Sequence, residues 1–251
     1  MPFATVIVLI TVALMTLLVP LGVMLFLRRR GGTWTAFLTG AGTFVLFALI
    51  LEPILHNLVL RSPAGAAIQG NILLYGLYGG LAAGLFEETG RLLAFRFILK
   101  GSPSRITSLS YGIGHGGIEA LLLVGLTMFS NLILGLSHAA GVPLPQEAAV
   151  AAETVLSVSA ALFLWSGLER LSAMALHMSL SVLVFASVQT ERRWLFPAAI
   201  GVHAAVNFAA VVSNAHLSIA VTEAVVALLT ALAALWAARV YQALPSSQEA
   251  A

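Results

Sequence analysis

The fold this sequence predicts is an all-α, polytopic transmembrane bundle of about eight spans, and three observations predict it. Hydrophobic residues make up 60% of the 251 and charged residues 9%. The mean hydropathy is +1.01, whereas soluble domains are roughly half apolar and a quarter charged. The apolar residues come in runs long enough for spanning helices, which need about 20 residues each. The interruptions are short, so residues 1–251 read as one integral membrane domain with no room for a soluble one.

Runs broken by Gly, Pro and charge place spans near 4–27, 34–59, 70–99, 106–137, 148–165, 168–188, 195–213 and 218–241. The first has no basic residue ahead of it and ends in Arg28-Arg29-Arg30 instead of a small-residue cleavage site, so it reads as a retained helix. The thinnest break is Ser166 to Leu168, and a polar tail runs from Pro245 to Ala251. On this layout Arg28, Arg29, Arg30, Arg96, Lys100, Arg105 and Arg170 share one side, against Arg61, Arg192, Arg193 and Arg239 on the other. Basic residues collect on the cytoplasmic side, so both termini are expected outside, in a bacterial cell membrane.

The formal net charge is only +2, with arginines at helix ends, so nucleic acid is not an expected partner. The bilayer is. Cysteine is absent, which excludes disulfides, thiolate metal sites and a Cys nucleophile. The oligomeric state is not legible.

An ionisable side chain at mid-membrane costs a few kcal/mol and generally faces a bundle interior or a water-filled cavity. The third span carries Glu87, Glu88 and Arg91; the fourth, His115 and Glu119; the sixth, His177; the seventh, His203 with Asn207. At about 1.5 Å per residue, Glu88 lies roughly 18 Å from Lys100, His115 roughly 15 Å from Arg105, His177 roughly 11–14 Å in from the same side, and His203 about 15 Å from Ser213. A common depth on four helices is what one buried site requires. Residues four apart share a helix face, so Glu87 can pair with Arg91, Tyr111-His115-Glu119 form one stripe, and His203-Asn207 another.

A carboxylate beside a histidine in an enclosed site can hold and deprotonate a water. A second histidine and an Asn amide can donate to a developing oxyanion. These parts suffice to hydrolyse a peptide bond without a covalent nucleophile or cofactor. Three histidines and a glutamate are equally a zinc ligand set, and the residues leave both versions open. Glu119 reads either as an orienting partner of His115 or as a plain interhelical hydrogen bonder. His138 and His216 read as interfacial, and Glu52-Pro53 with His56 and Asn57 as a kink or interface.

These segments resemble the glutamic-type intramembrane protease superfamily of the CAAX prenyl endopeptidases and bacterial PrsW, and most closely its YhfC branch. The resemblance rests on Glu87-Glu88-Thr89-Gly90-Arg91, Tyr111-Gly-Ile-Gly-His115 and His203-Ala-Ala-Val-Asn207. The arginine comes one residue earlier than in the CAAX branch, and Tyr111 stands where Phe is usual. The resemblance implies an intramembrane endopeptidase acting on membrane-associated polypeptides, in which Glu87 activates water with His115 while His203 and Asn207 steady the oxyanion. Glu88 stays an alternative to Glu87, and His177 to His203 in that role or as a support or metal ligand beside Glu119. Arg91 is expected to hold the glutamate pair, in a cavity open toward the half that ends at Arg28 to Arg30. The superfamily also holds a non-catalytic subunit of gamma-secretase with paired membrane histidines, so a membrane scaffold is one alternative class. A proton-coupled transporter is the other, because Glu and His chains also carry protons.

Overall fold

The computed structural model describes residues 1–244, so the polar tail expected at Pro245 to Ala251 lies outside the described residues. Among those described there are nine continuous helices and no strand. They are α1 (Phe3–Arg28), α2 (Trp34–Leu60), α3 (Pro63–Gln69), α4 (72–98), α5 (Ile106–Ala139), α6 (Gln146–Ser157), α7 (Ala160–Gln189), α8 (Leu195–His216) and α9 (Ile219–Gln242). Asn71 and Thr33 start α4 and α2 by accepting backbone N–H groups of the first turn. Six helices, α1, α2, α5, α7, α8 and α9, are long and apolar enough to cross a bilayer. Helix α4 is long enough as well, but it carries Glu87, Glu88 and Arg91.

The expected eight spans are therefore corrected. Helix α7 runs unbroken through Ser166 to Leu168, and the stretch 148–165 divides between α6 and the start of α7. The 12 residues of α6 reach about 18 Å, too short to cross. Gly167 is a contact and not a loop: a Cβ there would meet Val12 of α1 at 2.8 Å. The two ends of the described chain lie at opposite ends of α1. Met1 packs on Gly135 at the far end of α5, while Tyr241 near the end of α9 shares a cleft with Phe26, Arg30 and Arg105. The expectation of both ends on one side fails for the described residues.

Helix α7 is the central helix: 67% of its most apolar window is buried, against at most 28% in the other five candidate spans. Leu180, Leu183, Val184 and Phe185 of α7 form the main core with Phe95, Tyr111, Leu195 and Ala199. Lipid is as apolar as this core, so helices associate here through close packing of small residues more than through hydrophobicity. Helix α5 shows it best. A Cβ on Gly114 would overlap the carbonyl oxygen of Phe37, and one on Gly112 would meet the Met178 Cα at 2.6 Å, so α2 and α7 close on α5 from two sides. Helices α4 and α8 run antiparallel on the same principle, with Gly80 against Ala204 and Gly84 against Ile200. Three π-helical stretches, Val45–Leu51, Ala94–Ile98 and Leu121–Gly125, begin or end within a turn of Glu52, Arg91 and Glu119. Such bulges change helix phase and are frequent at functional sites.

Candidate active site

Four helices bring seven ionisable residues together around Glu87. The close α4–α8 and α5–α7 approaches set Glu87 and Glu88 opposite His203, and His115 opposite His177. Glu88, Arg91 and His115 are fully buried, and Glu87, His177 and His203 are at most 7% exposed. The four positions share a depth, counted from the opposite ends of α7 and α8 to those the sequence suggests. Measured from the Gln189 end of α7 and the Leu195 end of α8, His177 lies about 18 Å deep and His203 about 12 Å.

Glu87 is the hub. His115 Nε2 lies 2.8 Å from its Oε2, His177 Nδ1 lies 3.9 Å from Oε2, and His203 Nε2 lies 3.9 Å from Oε1. Carboxylates hold the opposite nitrogens of two of these rings. His203 Nδ1–H donates to Glu88 Oε1 at 2.8 Å, and His177 Nε2 lies 2.7 Å from Glu119 Oε2. With those nitrogens protonated, the lone pairs of His177 Nδ1 and His203 Nε2 both face Glu87, an assignment that follows from the partners.

Two arginines balance the outer carboxylates. Arg91 Nη1 donates to both Glu88 oxygens, and its Nη2 lies 3.1 Å from His177 Nδ1. Arg170 donates to Glu119 Oε1 at 2.6 Å and also pairs with Glu169. Buried charges are tolerated when paired and hydrogen-bonded in this way. His115 Nδ1 is buried with no partner among the described residues.

Most of the residues singled out from sequence converge here, with three corrections. Arg91 pairs with Glu88, three residues back, and not with Glu87. Glu119 faces His177, not His115. Asn207 stands apart from the hydrogen-bonded cluster, one turn along α8 from His203, in a cleft with His56, Tyr75 and Tyr78. That cleft lies in the half that ends at Arg61, opposite to the half expected to open.

Two groups were missed. Arg170 lies inside the continuous helix α7 and not at a helix end. Glu52 was set aside as a kink, yet it is 8% exposed, accepts from His56 Nε2 at 3.1 Å, and His56 Nδ1 meets the Tyr78 hydroxyl at 2.9 Å. The signal was present as two ionisable residues four apart inside an apolar run.

A divalent ion fits the residues at the hub. Glu87, His177 and His203 each present one ligand atom, and these lie within 4.8 Å of one another. Two neutral imidazoles and one carboxylate are a set that catalytic zinc takes, and the far-side carboxylates are the orienting partners such ligands usually have. Arg91 shares the His177 Nδ1 lone pair and has to turn toward Glu88 for that nitrogen to ligate.

A family model described as YhfC intramembrane metalloprotease matches residues 15–230. A Bacillus subtilis (strain 168) protein described as uncharacterized membrane protein YhfC is 34% identical over 241 residues, covering 90% of this chain and 93% of that one. No solved structure matches. With most of its length matched by both, this chain is an integral membrane protein that belongs to the YhfC family.

Proposed function

We infer that the protein is an intramembrane endopeptidase that hydrolyses peptide bonds of membrane-associated polypeptides at Glu87. The observation that carries this reading is the Glu87 carboxylate ringed by three buried histidines, two of them held by carboxylates so that their lone pairs face it. The description of the family as metalloproteases supports it.

Glu87, His177 and His203 would hold a divalent ion, zinc by donor type, which as a Lewis acid polarises a carbonyl and acidifies a water. The chain's own residues do the rest. The Glu87–His115 pair, 2.8 Å apart, takes the proton of a water whose oxygen adds to the carbonyl carbon, and returns it to the amide nitrogen as the C–N bond breaks. Glu88, Glu119, Arg91 and Arg170 keep the two ring orientations fixed. In this reading His203 is a ligand, because its one N–H is given to Glu88 and none is left for an oxyanion.

A metal-free glutamate mechanism is the second reading. The close Glu87–His115 contact and the Arg91 guanidinium on His177 Nδ1 favour it.

The seven long helices also sharpen the orientation. Arg28, Arg29, Arg30, Arg96, Lys100, Arg105, Arg192, Arg193 and Arg239 all lie toward one face, and Arg61 alone lies toward the other, with Arg91 and Arg170 in the interior. By the positive-inside rule the arginine-rich face is cytoplasmic, the start of α1 is outside and the end of α9 inside.

The test is cleavage of a quenched fluorescent peptide built on an alanine–leucine spanning segment, by detergent-purified protein with and without chelator. We expect chelator-sensitive cleavage that Glu87→Gln lowers by about 10³-fold. Chelator-resistant, Glu87-dependent cleavage selects the metal-free reading. Wild-type rates in Glu87→Gln, His115→Ala and His203→Ala alike overturn both.

A further inference from the structure

The Glu52–His56–Tyr78 group has no part in the cluster around Glu87, and a polar chain of this kind inside a spanning helix needs a use. Its His56 and Tyr78 line one wall of the cleft between α2, α4 and α8, whose volume is about 310 Å³. Along the helix axes this cleft runs from His56, about 6 Å inside the Arg61 end of α2, to Asn207, about 14 Å inside the His216 end of α8. Its deep end therefore lies one helical turn from His203, whose Nε2 faces Glu87. The π-helical stretch Val45–Leu51 and Pro53 flank Glu52, so the phase change that turns it inward is built into α2.

We propose that the polypeptide substrate reaches Glu87 from the Arg61 face, lying in this cleft as an extended, uncharged stretch of chain. The proposal rests on the protease reading for its occupant, and on the cleft's own chemistry for the route. A segment unwound inside a membrane must have its freed backbone N–H and C=O groups satisfied by protein or water. The Tyr75 and Tyr78 hydroxyls and the Asn207 amide supply donors and acceptors along the wall, and among the described residues no charged side chain lines it. Gly79 leaves the backbone of α4 bare there. A Cβ on Gly79 would meet nothing within 4 Å, whereas its neighbour Gly80 is sealed against Ala204 of α8. One glycine of the pair packs the helices and the other leaves the cleft open.

The absence of cysteine makes the route directly measurable with single-cysteine variants. Gly79→Cys places a thiol in open space and leaves every residue around Glu87 intact. In sealed vesicles of both orientations, a charged, membrane-impermeant maleimide is expected to label Gly79→Cys only from the face that also labels Ser62→Cys, beside Arg61. Ser102→Cys reports the opposite face, and Gly201→Cys, which is exposed on α8 with open space around it, is expected to stay unlabelled in lipid. Cleavage of the quenched spanning peptide by Gly79→Cys is expected to be lost on modification, measured against the same variant before modification.

A Gly79→Cys thiol that stays unlabelled from both faces, or is labelled from the Ser102 face, overturns the route. So does full cleavage by the modified protein. A wild type that cleaves nothing overturns the protease reading and the substrate's place in the cleft with it, while labelling still tells whether water enters from the Arg61 face.

Discussion

The two halves of α5 are one continuous helix in two different surroundings. In Ile106–Ala120, 12 of 15 residues are buried; in Leu126–Ala139 only Met128 and Gly135 are. Hydropathy does not separate them, because both halves belong to a single span-like stretch. What separates them is Gly112, Gly114, Gly116 and Gly117 with His115 and Glu119 on one side of the π-helical turn Leu121–Gly125, and Leu126, Phe129, Ile133 and Leu136 facing outward on the other. In a bilayer a large apolar side chain gains little by leaving lipid, so a helix is drawn inward where backbones can touch and polar groups must find partners.

Substitutions in the two halves and in their partners sharpen or break that contrast. The largest effect is expected from Glu88→Ala, which strands the buried Arg91 guanidinium and removes the acceptor of His203 Nδ1. Loss of one partner of a buried pair costs about 4 kcal/mol, to be seen as a lowered thermal midpoint in detergent. Next comes Gly114→Val, whose side chain collides with the Phe37 backbone. Backbone there cannot turn aside as a side chain can, and about 3 kcal/mol of destabilisation is expected. Glu119→Gln weakens the hold on His177 Nε2 and leaves Arg170 with Glu169 alone. It should lower zinc affinity by about 10- to 100-fold, measured by competition with a chelating dye. Leu136→Ala in the outer half, 46% exposed, should change the thermal midpoint by no more than about 0.5 kcal/mol allows. A large loss there, or none at Gly114, would break the contrast.

The same physics decides what was legible in the sequence. Glu87, Glu88, His115, His177 and His203 stand out because each is expensive in an apolar run, and their order along the chain and shared depth bring them to one site. The pairing of Arg91 was not legible. Residues 87 and 88 differ by about 100° around the helix, and i+3 and i+4 partners are equally allowed until α8 presents His203 to Glu88. The spurious break at Ser166 to Leu168 arose because small residues serve both loops and helix contacts, and Gly167 is a contact with Val12. That one misreading also hid Arg170 and misplaced the end of α9. Glu52 and His56 were visible as a polar pair, but their purpose depends on Tyr78 and Asn207, which only packing brings alongside.

The most direct test of the central claim, that Glu87, His177 and His203 hold a divalent ion in a proteolytic site, is the metal content of the chelator-free purified protein. Plasma mass spectrometry is expected to find about one zinc per chain in the wild type and almost none in the Glu87→Gln, His177→Ala double variant, with cleavage lost alongside the metal. A wild type that cleaves the spanning peptide while carrying no metal would contradict the claim.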